Sequence, residues 1–296
     1  MILFSMENTK LTTQTHNCIS CNSIMTGAFC SNCGEHRLDQ SHRSVSYLLS
    51  DLVESFTSLE NRLLKTIWSF FRYPGELSRN YSIGKRIEYM KPITFFLLVN
   101  LLYVLFTPIT DFSVSFYDQL NSQVYSTFLK EWIDGYIASN NLNYQVISQE
   151  YKQVTAVLSR SLIILSTPLL AMFLTIIYHK KKVYFVDHLV FSIHYYAWIM
   201  AWIIIAQLPP YILNVLSKLT HIEFLSTLNY LSLLNVGLIT FLALASKRAY
   251  QLTWLSVLIR LPFAFTALVI SHFLYRLVQF IISFFVVVMD ANNLVS

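Results

Sequence analysis

Long apolar runs separated by short polar segments dominate the chain from position 92 onward. Four of these runs have the length that an α-helix needs to cross a bilayer core of about 30 Å. They are residues 92–109, 156–178, 188–208 and 228–246. Pro209 and Pro210 follow the third run directly, and we expect them to end it. The pattern predicts membrane-spanning helices rather than the strands of a soluble core.

The last apolar run, 254–289, is longer than one perpendicular crossing needs. We predict a single tilted crossing with Arg260 near the inner surface and a bend near Pro262. A division into two shorter elements fits the same pattern. The predicted fold class is therefore an all-α polytopic membrane protein with about five transmembrane helices over residues 92–289.

Two amphipathic regions flank the first run. In residues 44–91, apolar positions recur at helical spacing up to Pro74 and Gly75, which predicts one or two juxtamembrane helices followed by a basic loop. Such a helix either packs on the bundle or lies in the membrane interface. Residues 111–155 are polar enough to leave the bilayer but keep helical spacing, so we predict a helical excursion broken near Asn140.

Composition and charge support this topology. Charged residues make up 12% of the chain and mean hydropathy is +0.50, whereas soluble domains carry about 25% charged residues. Ten of the 21 Lys and Arg residues precede the first run, and others follow the second and fourth runs. The positive-inside rule then places the N-terminus in the cytoplasm and the excursion and C-terminus outside. We expect a multi-pass protein of the bacterial inner membrane.

All four cysteines of the chain lie near the N-terminus, in two CxxC pairs separated by eight residues. Two such knuckles give the tetrahedral set of four thiolates that zinc prefers. Gly34 and Asn22, which follow the two pairs, tolerate the left-handed backbone that a knuckle needs. The pattern predicts a small zinc ribbon over residues 16–37 with one structural zinc per chain. Its ligands are Cys18, Cys21, Cys30 and Cys33.

Other uses of the cysteines fit less well. Two disulfides need an oxidising compartment, and covalent haem attachment needs a histidine directly after CxxC. Iron in a four-thiolate site is chemically allowed. A site with four cysteines leaves no position open for a substrate, which argues against catalytic zinc. No Lys or Arg lies between Cys18 and Cys33, so we expect no nucleic-acid binding and instead a packing or protein-docking role.

Several segments together resemble a known family. They are the CxxC pair followed by FCSNCGE, then SLENRLLKTIWSFFRYPGEL, YSIGKRIEYMKP and YFVDHLVFSIHYYAW. The sequence resembles an uncharacterised bacterial family of membrane proteins, a domain of unknown function with an N-terminal zinc ribbon, over roughly residues 18–250. The family usually has Gln at Glu35, often Asp at Glu60 and often Glu at Asp187. The resemblance implies an arrangement of elements and no activity.

The stretch before the first run is the densest in cations. Anionic headgroups attract such juxtamembrane charges by about 1 kcal/mol each, and a glycine permits close backbone approach to a phosphate. One interpretation is a defined lipid or phosphate site; the other is that the charges set topology and contact headgroups nonspecifically. The residues concerned are Arg72, Arg79, Gly84, Lys85, Arg86 and Lys91.

Ionisable residues also occur in the apolar runs, where they often face the bundle interior and mark ion or substrate paths. They are Asp187, His188, His194, His272 and Arg276. Asp187 and His194 are seven positions apart and share a helical face. One interpretation is a metal site or proton relay. The other is that Asp187 caps the helix and pairs with Lys180–Lys182, and that the histidines make interhelical hydrogen bonds.

These patterns lead to two functional hypotheses. The first is a non-enzymatic scaffold whose cytosolic ribbon and amphipathic helix dock a protein partner while the bundle contacts lipid and anionic headgroups. The alternative is a small transporter or lipid-handling protein that uses the intramembrane residues. An intramembrane enzyme ranks third, because no hydrolase motif accompanies these residues.

Overall fold

A computed structural model describes residues 16–37, 60–107, 114–140, 142–181, 183–220 and 229–295. The ribbon contains a two-stranded antiparallel sheet of β1 (His16–Asn17) and β2 (Ile24–Met25), with His16 opposite Met25. The remaining elements are helices. The N-terminal ones are α1 (Glu60–Arg72), α2 (Glu76–Ile83), α3 (Pro92–Phe106), α4 (Phe116–Asn121), α5 (Ser126–Ser139) and α6 (Tyr144–Ser161).

A 3₁₀ turn, Leu162–Leu165, joins α6 to the next helix without a loop. The C-terminal helices are α7 (Ser166–Ile177), α8 (Phe185–Ala206), α9 (Leu208–Thr220), α10 (Tyr230–Ala249) and α11 (Trp254–Val295). Local chemistry sets several of their ends. The Asn143 and Asn229 side chains accept hydrogen bonds from the first amides of α6 and α10. Gln251 is left-handed, with φ 49°, where α10 ends.

Among the described residues, four helical runs have the length and apolar composition to cross a membrane. They are Tyr144–Ile177, Phe185–Thr220, Tyr230–Ala249 and Trp254–Met289. The first of the five predicted spans forms α3, an apolar helix of 15 residues. At about 1.5 Å per residue it is shorter than a bilayer core. The all-α membrane-like fold with an N-terminal four-cysteine cluster is thus confirmed, with four full-length candidate spans and one short apolar helix.

Prolines interrupt the helices less than the sequence led us to expect. Pro209 and Pro210 do not stop helical structure, because α9 begins at Leu208, directly after the single residue that follows α8. Proline is tolerated there since amides in a first turn have no intrahelical acceptor. Pro262 lies inside α11, which is one continuous helix of 42 residues. The last apolar run is therefore one element rather than two.

Helix α8 forms the centre of the main core. The most apolar 18 residues of the run Phe185–Thr220, which contains α8, are 72% buried, against 22% for those of α10. Helices α2, α3, α7 and α10 pack around α8, and the first half of α11 joins the same core by packing on α7 and α10. Since α8 is covered on nearly all sides, the remaining exposed apolar surface lies on the surrounding helices, which is the arrangement expected of a bundle in lipid.

A second core surrounds the other half of α11. Phe116 from α4 lies among Tyr151 from α6 and Phe280 and Phe284 from α11, with ring centroids 5.3–6.2 Å from that of Phe116. Helix α5 adds Ile133. The predicted excursion thus folds against the C-terminal part of α11. The sequence predicts that the excursion ends at position 155. Its last helix, α6, instead continues past this position and runs through the 3₁₀ turn into α7.

Candidate metal centre and the basic end of the bundle

The two cysteine knuckles face each other. In each one, the amide four residues after the first cysteine bonds back to that cysteine's carbonyl, from Asn22 to Cys18 at 2.9 Å and from Gly34 to Cys30 at 2.8 Å. Asn22 has φ 61° and Gly34 has φ 75°, the left-handed conformation expected at both positions. This turn brings the two sulfurs of each CxxC pair to the same side of the backbone.

All four sulfur atoms lie within 4.8 Å of one another. The Cys18–Cys33 and Cys21–Cys30 Sγ distances are both 3.5 Å, and the four thiols are free of disulfides. Sulfurs bound tetrahedrally at about 2.3 Å from zinc are about 3.8 Å apart. The cluster therefore fits a four-coordinate metal ion, and within the described ranges it is the one group of three or more His, Cys, Asp or Glu ligands close enough to hold one.

Cys21 and Cys33 differ in proton affinity. Hydrogen bonds with the Ser23 side chain and backbone lower the pKa of Cys21 to about 6. At Cys33 a hydrogen bond with the Glu35 backbone lowers the pKa of the thiol. Desolvation and the neighbouring thiols outweigh this effect and raise the pKa to about 12. Because a metal binds thiolates, its binding has to displace the more tightly held protons. Acid therefore competes with the metal.

Glu35 connects the ribbon to the bundle. Its side chain is 4% exposed, accepts a hydrogen bond from the Ser20 hydroxyl, and accepts another from the Ile87 amide at 3.4 Å. Gly34 lies against the Ile87 side chain. Sequence reasoning noted Glu35 only as a departure from the family's Gln. Its linking role depends on a contact across 52 residues, which has no local sequence signal.

Helix α1 has two apolar faces. Thr66 and Phe70 are buried, and the Phe70 ring packs on Phe95 at 4.8 Å. The other face exposes Leu64, Trp68 and, to a lesser extent, Phe71. One face packs on the bundle, which is one of the two arrangements that the sequence allowed for this helix. The other face has the apolar exposure that suits the membrane interface.

The predicted basic site is spread over several local arrangements. Lys85 pairs with Glu88 at 3.0 Å, and the Arg86 guanidinium stacks 4.0 Å from the centre of the Tyr81 ring. Gly84 has φ 95°, and its amide caps α2 by donating to the Tyr81 carbonyl at 3.1 Å. The amide of Gly84 is thus used within the chain.

The other three predicted cations occupy different positions. Arg72 lies at the end of α1 beside Tyr73, 5.6 Å from the ring centre. Lys91 is the residue before α3, and its carbonyl accepts the Phe95 amide. Of the six predicted residues, only Arg79 lines the cavity described next. The six residues make different local contacts and do not line that cavity together.

The cavity has a volume of about 550 Å³ and lies where three parts of the chain meet. Helix α2 contributes Ser78 and Arg79, and the α7–α8 connection contributes Lys180 and Lys181. The start of α8 and the α10–α11 turn complete the lining with Asp187, Tyr250 and Gln251. Three cations face one carboxylate here. Sequence reasoning treated Lys180 and Lys181 as topology markers and as partners of Asp187. Their position in one cavity with Arg79 depends on tertiary packing and has no local sequence signal.

The polar residues of α8 make structural contacts. The Asp187 carboxylate accepts the Tyr184 amide at 3.1 Å and so caps the helix. His188 bonds to the Tyr250 hydroxyl at 2.9 Å, and His194 bonds to the Ser78 hydroxyl at 2.9 Å. These contacts join α8 to α2 and α10, which is the structural interpretation of the three residues.

His272 and Arg276 lie elsewhere, on α11. The His272 ring lies 6.0 Å from that of Tyr275, whose hydroxyl donates to the Ser159 carbonyl at 2.6 Å. Neither residue lines the cavity. His194 lines a much smaller neighbouring cavity beside Phe70 and Gly75. The five predicted intramembrane residues are thus divided among separate places.

Comparison with known proteins gives a family match for one part of the chain. Residues 60–104 match the family model described as "Protein of unknown function (DUF3667)". These residues comprise α1, α2 and most of α3, the part that joins the ribbon to the bundle. No curated protein and no solved structure matches the chain. The family match confirms the resemblance to a domain-of-unknown-function family.

Proposed function

We propose that this protein is a non-enzymatic scaffold of the bacterial inner membrane whose cytosolic zinc ribbon docks a protein partner. One observation carries the proposal. The ribbon is attached to the bundle by the buried Glu35 carboxylate, while Ile19, Ile24 and Phe29 on its outside are 52–64% exposed. A fixed small domain with exposed apolar side chains suits the presentation of a contact surface.

Zinc is the proposed ion because four thiolates in a compact tetrahedral set are its usual structural site. Four cysteine ligands leave no coordination position for a substrate, which supports a structural role. The ribbon buries few apolar side chains, among them Met25, so a metal is the natural source of its stability. A red, iron-containing protein on purification would contradict this assignment, whereas about one zinc per chain supports it.

The cytosolic placement of the ribbon rests on charge. Lys85 and Lys181 lie at the ribbon end together with Arg79 and Arg248, whereas the assembly around the far half of α11 holds Lys130 and Lys152. Positive charge near span ends remains on the cytoplasmic side. Reporter fusions after Ser139 and after Lys181 test this. We expect alkaline phosphatase activity at the first and a fluorescent cytosolic reporter at the second; the reverse result contradicts the proposed topology.

Site-specific photo-cross-linking in cells tests the docking surface. A photoreactive amino acid at Ile24 or Phe29 is expected to give the same discrete protein adduct, identified by mass spectrometry. Leu255 is a matched control because it is 70% exposed but belongs to α11. The adduct should disappear with Cys18→Ser, which removes a metal ligand. Equal adducts from all three positions, or adducts to copies of this chain alone, would contradict partner docking.

The cavity favours lipid handling as a second candidate function. Polar groups from α2, α8 and two connections converge there, as a lipid-handling protein requires. Transport through the bundle receives less support, because His194, His272 and Arg276 do not share that cavity.

A further inference from the structure

We infer that the cavity between α2, the α7–α8 connection and the α10–α11 turn binds a phosphate group, carried either by an anionic lipid headgroup or by a soluble phosphorylated molecule. This binding site is independent of partner docking by the ribbon. It rests on three observations: an excess of positive charge, an unsatisfied buried donor and a mixed polar and apolar lining.

The charge balance favours an anion. Arg79, Lys180 and Lys181 line the cavity, against the single carboxylate of Asp187. That carboxylate already accepts the Tyr184 amide in capping α8. Lys180 has no ion pair with any residue that the structure describes, and the Lys181 ammonium donates only to the Gln251 carbonyl, at 3.3 Å. Neutral partners leave the lysine charges uncompensated.

Arg79 provides an unsatisfied donor. Its Nε atom is buried and lacks a hydrogen-bond acceptor within the described residues. Its nearest acid is Glu76, at 3.9 Å from Nη1, and the same Glu76 oxygen is also 3.7 Å from Nε of Arg248. The Arg79 side chain as a whole is 40% exposed, so its guanidinium is accessible to a ligand in the cavity. A guanidinium donor is satisfied best by the paired oxygens of a phosphate or carboxylate.

The rest of the lining indicates which anion fits. The Ser82 hydroxyl can donate to an additional oxygen, whereas that of Ser78 is bonded to His194, and a phosphate presents more acceptor oxygens than a carboxylate. Ile83, Val183 and Phe191 add apolar surface to the same cavity. Cationic and hydroxyl groups beside apolar side chains, at the ends of helices long enough to cross a membrane, suit a phosphorylated amphiphile as well as a free phosphate ester.

Native mass spectrometry of the full-length, delipidated protein tests the site. Phosphatidic acid is the anionic probe, and phosphatidylcholine is the zwitterionic control lipid. We expect one retained phosphatidic acid per chain, and binding about tenfold weaker in Arg79→Gln and Lys181→Gln, because each loses a charge-assisted hydrogen bond. Lys85→Gln is the matched control, since Lys85 pairs with Glu88 outside the cavity; its binding should equal that of the wild-type protein.

A second arm distinguishes the sources of the phosphate. Glycerol 3-phosphate and inorganic phosphate are added as soluble competitors. Displacement of lipid by either identifies the phosphate group as the recognised part, and binding of the soluble probes without lipid retention assigns the site to a soluble ligand. Equal weakening by all three substitutions, or equal retention of phosphatidylcholine, overturns the proposal. Arg79→Lys retains the charge; a folded Arg79→Lys protein that binds phosphatidic acid rules out general misfolding as the cause.

Discussion

Two small assemblies at opposite ends of the bundle are stabilised by different physics. The ribbon buries Cys18, Met25 and Cys30 and arranges four sulfurs around a metal-sized space. The far assembly packs α4, α5 and α6 on α11 through aromatic rings such as Phe116 and Phe284. Segments below about 40 residues rarely fold without a metal or disulfide. The comparison shows why the cysteines are concentrated at one end: the other end has enough apolar surface without them.

Removal of the proposed zinc should have the largest effect. Structural zinc sites contribute about 10 kcal/mol or more to the folding of small domains. We expect Cys18→Ser, or a strong chelator, to unfold residues 16–37 and leave the far assembly folded. Hydrogen exchange resolved along the chain measures this, with rapid exchange in the ribbon and unchanged protection in α6. Equal loss of protection at both ends would contradict the separation of the two assemblies.

Truncation of a far-end aromatic ring should have the converse effect. Phe284 is fully buried among Phe116, Trp132 and Phe280. Phe284→Ala should lower the free energy of unfolding of this assembly by about 3–5 kcal/mol. Phe285→Ala is the control, because Phe285 is 41% exposed. Bound metal should remain at the wild-type level in both variants, and its loss in Phe284→Ala would show that the ends are not independent.

One glycine at each end offers a smaller test. A Cβ at Gly75 would lie 2.3 Å from the Ala245 carbonyl oxygen, and Gly75 has φ +83°. Gly75→Ala must therefore separate α2 from α10, and we expect a loss of more than about 1 kcal/mol. Gly135 lies within α5 and has open space around it, so Gly135→Ala should stabilise by about 0.5–1 kcal/mol. Melting temperatures that shift in the same direction would refute this contrast.

The smallest effect concerns the surface ion pairs of Glu88. Desolvation raises the pKa of Glu88, but hydrogen bonds from Lys65 and Lys85 outweigh it and hold this pKa below its usual value of 4.5. The contribution of Glu88 is therefore present above pH 4.5 and is lost as pH falls through the lowered pKa. Because the Lys65 side chain is 61% exposed and that of Glu88 is 23% exposed, water screens these pairs, and Glu88→Gln should cost less than about 1 kcal/mol at neutral pH. An equal cost at pH 3 and pH 7 would contradict the linkage.

Local patterns predicted the elements of this fold better than their meeting points. The CxxC spacing identified the metal cluster, because a knuckle is a contact between near neighbours in sequence. Helical periodicity similarly identified most spans. The sequence did not indicate that α3 is shorter than a full span, because the apolar run continues to position 109 whereas the helix ends at Phe106.

The cavity and the attachment of the ribbon could not be predicted in this way. Lys181 and Arg79 line one cavity although they are about a hundred positions apart, and Glu35 accepts a hydrogen bond from Ile87 across 52 positions. Such contacts are set by how helices pack, for which a single sequence gives no periodic signal. Asp187 caps α8 through the nearby Tyr184 amide, a local contact that the sequence indicated, whereas Ser78, the partner of His194, is 116 positions away.

The length of α11 has a mechanical consequence. Its 42 residues extend about 63 Å at 1.5 Å per residue, roughly twice the thickness of a hydrocarbon core. A helix that tilts to match a thinner bilayer moves one end sideways relative to the other, by about 5 Å for each 5°. Spin labels at Leu255 and Trp132 should therefore report a distance change between short-chain and long-chain lipids if neighbouring helices do not tilt with it. A change in membrane thickness would then change the distance between the two ends of the molecule.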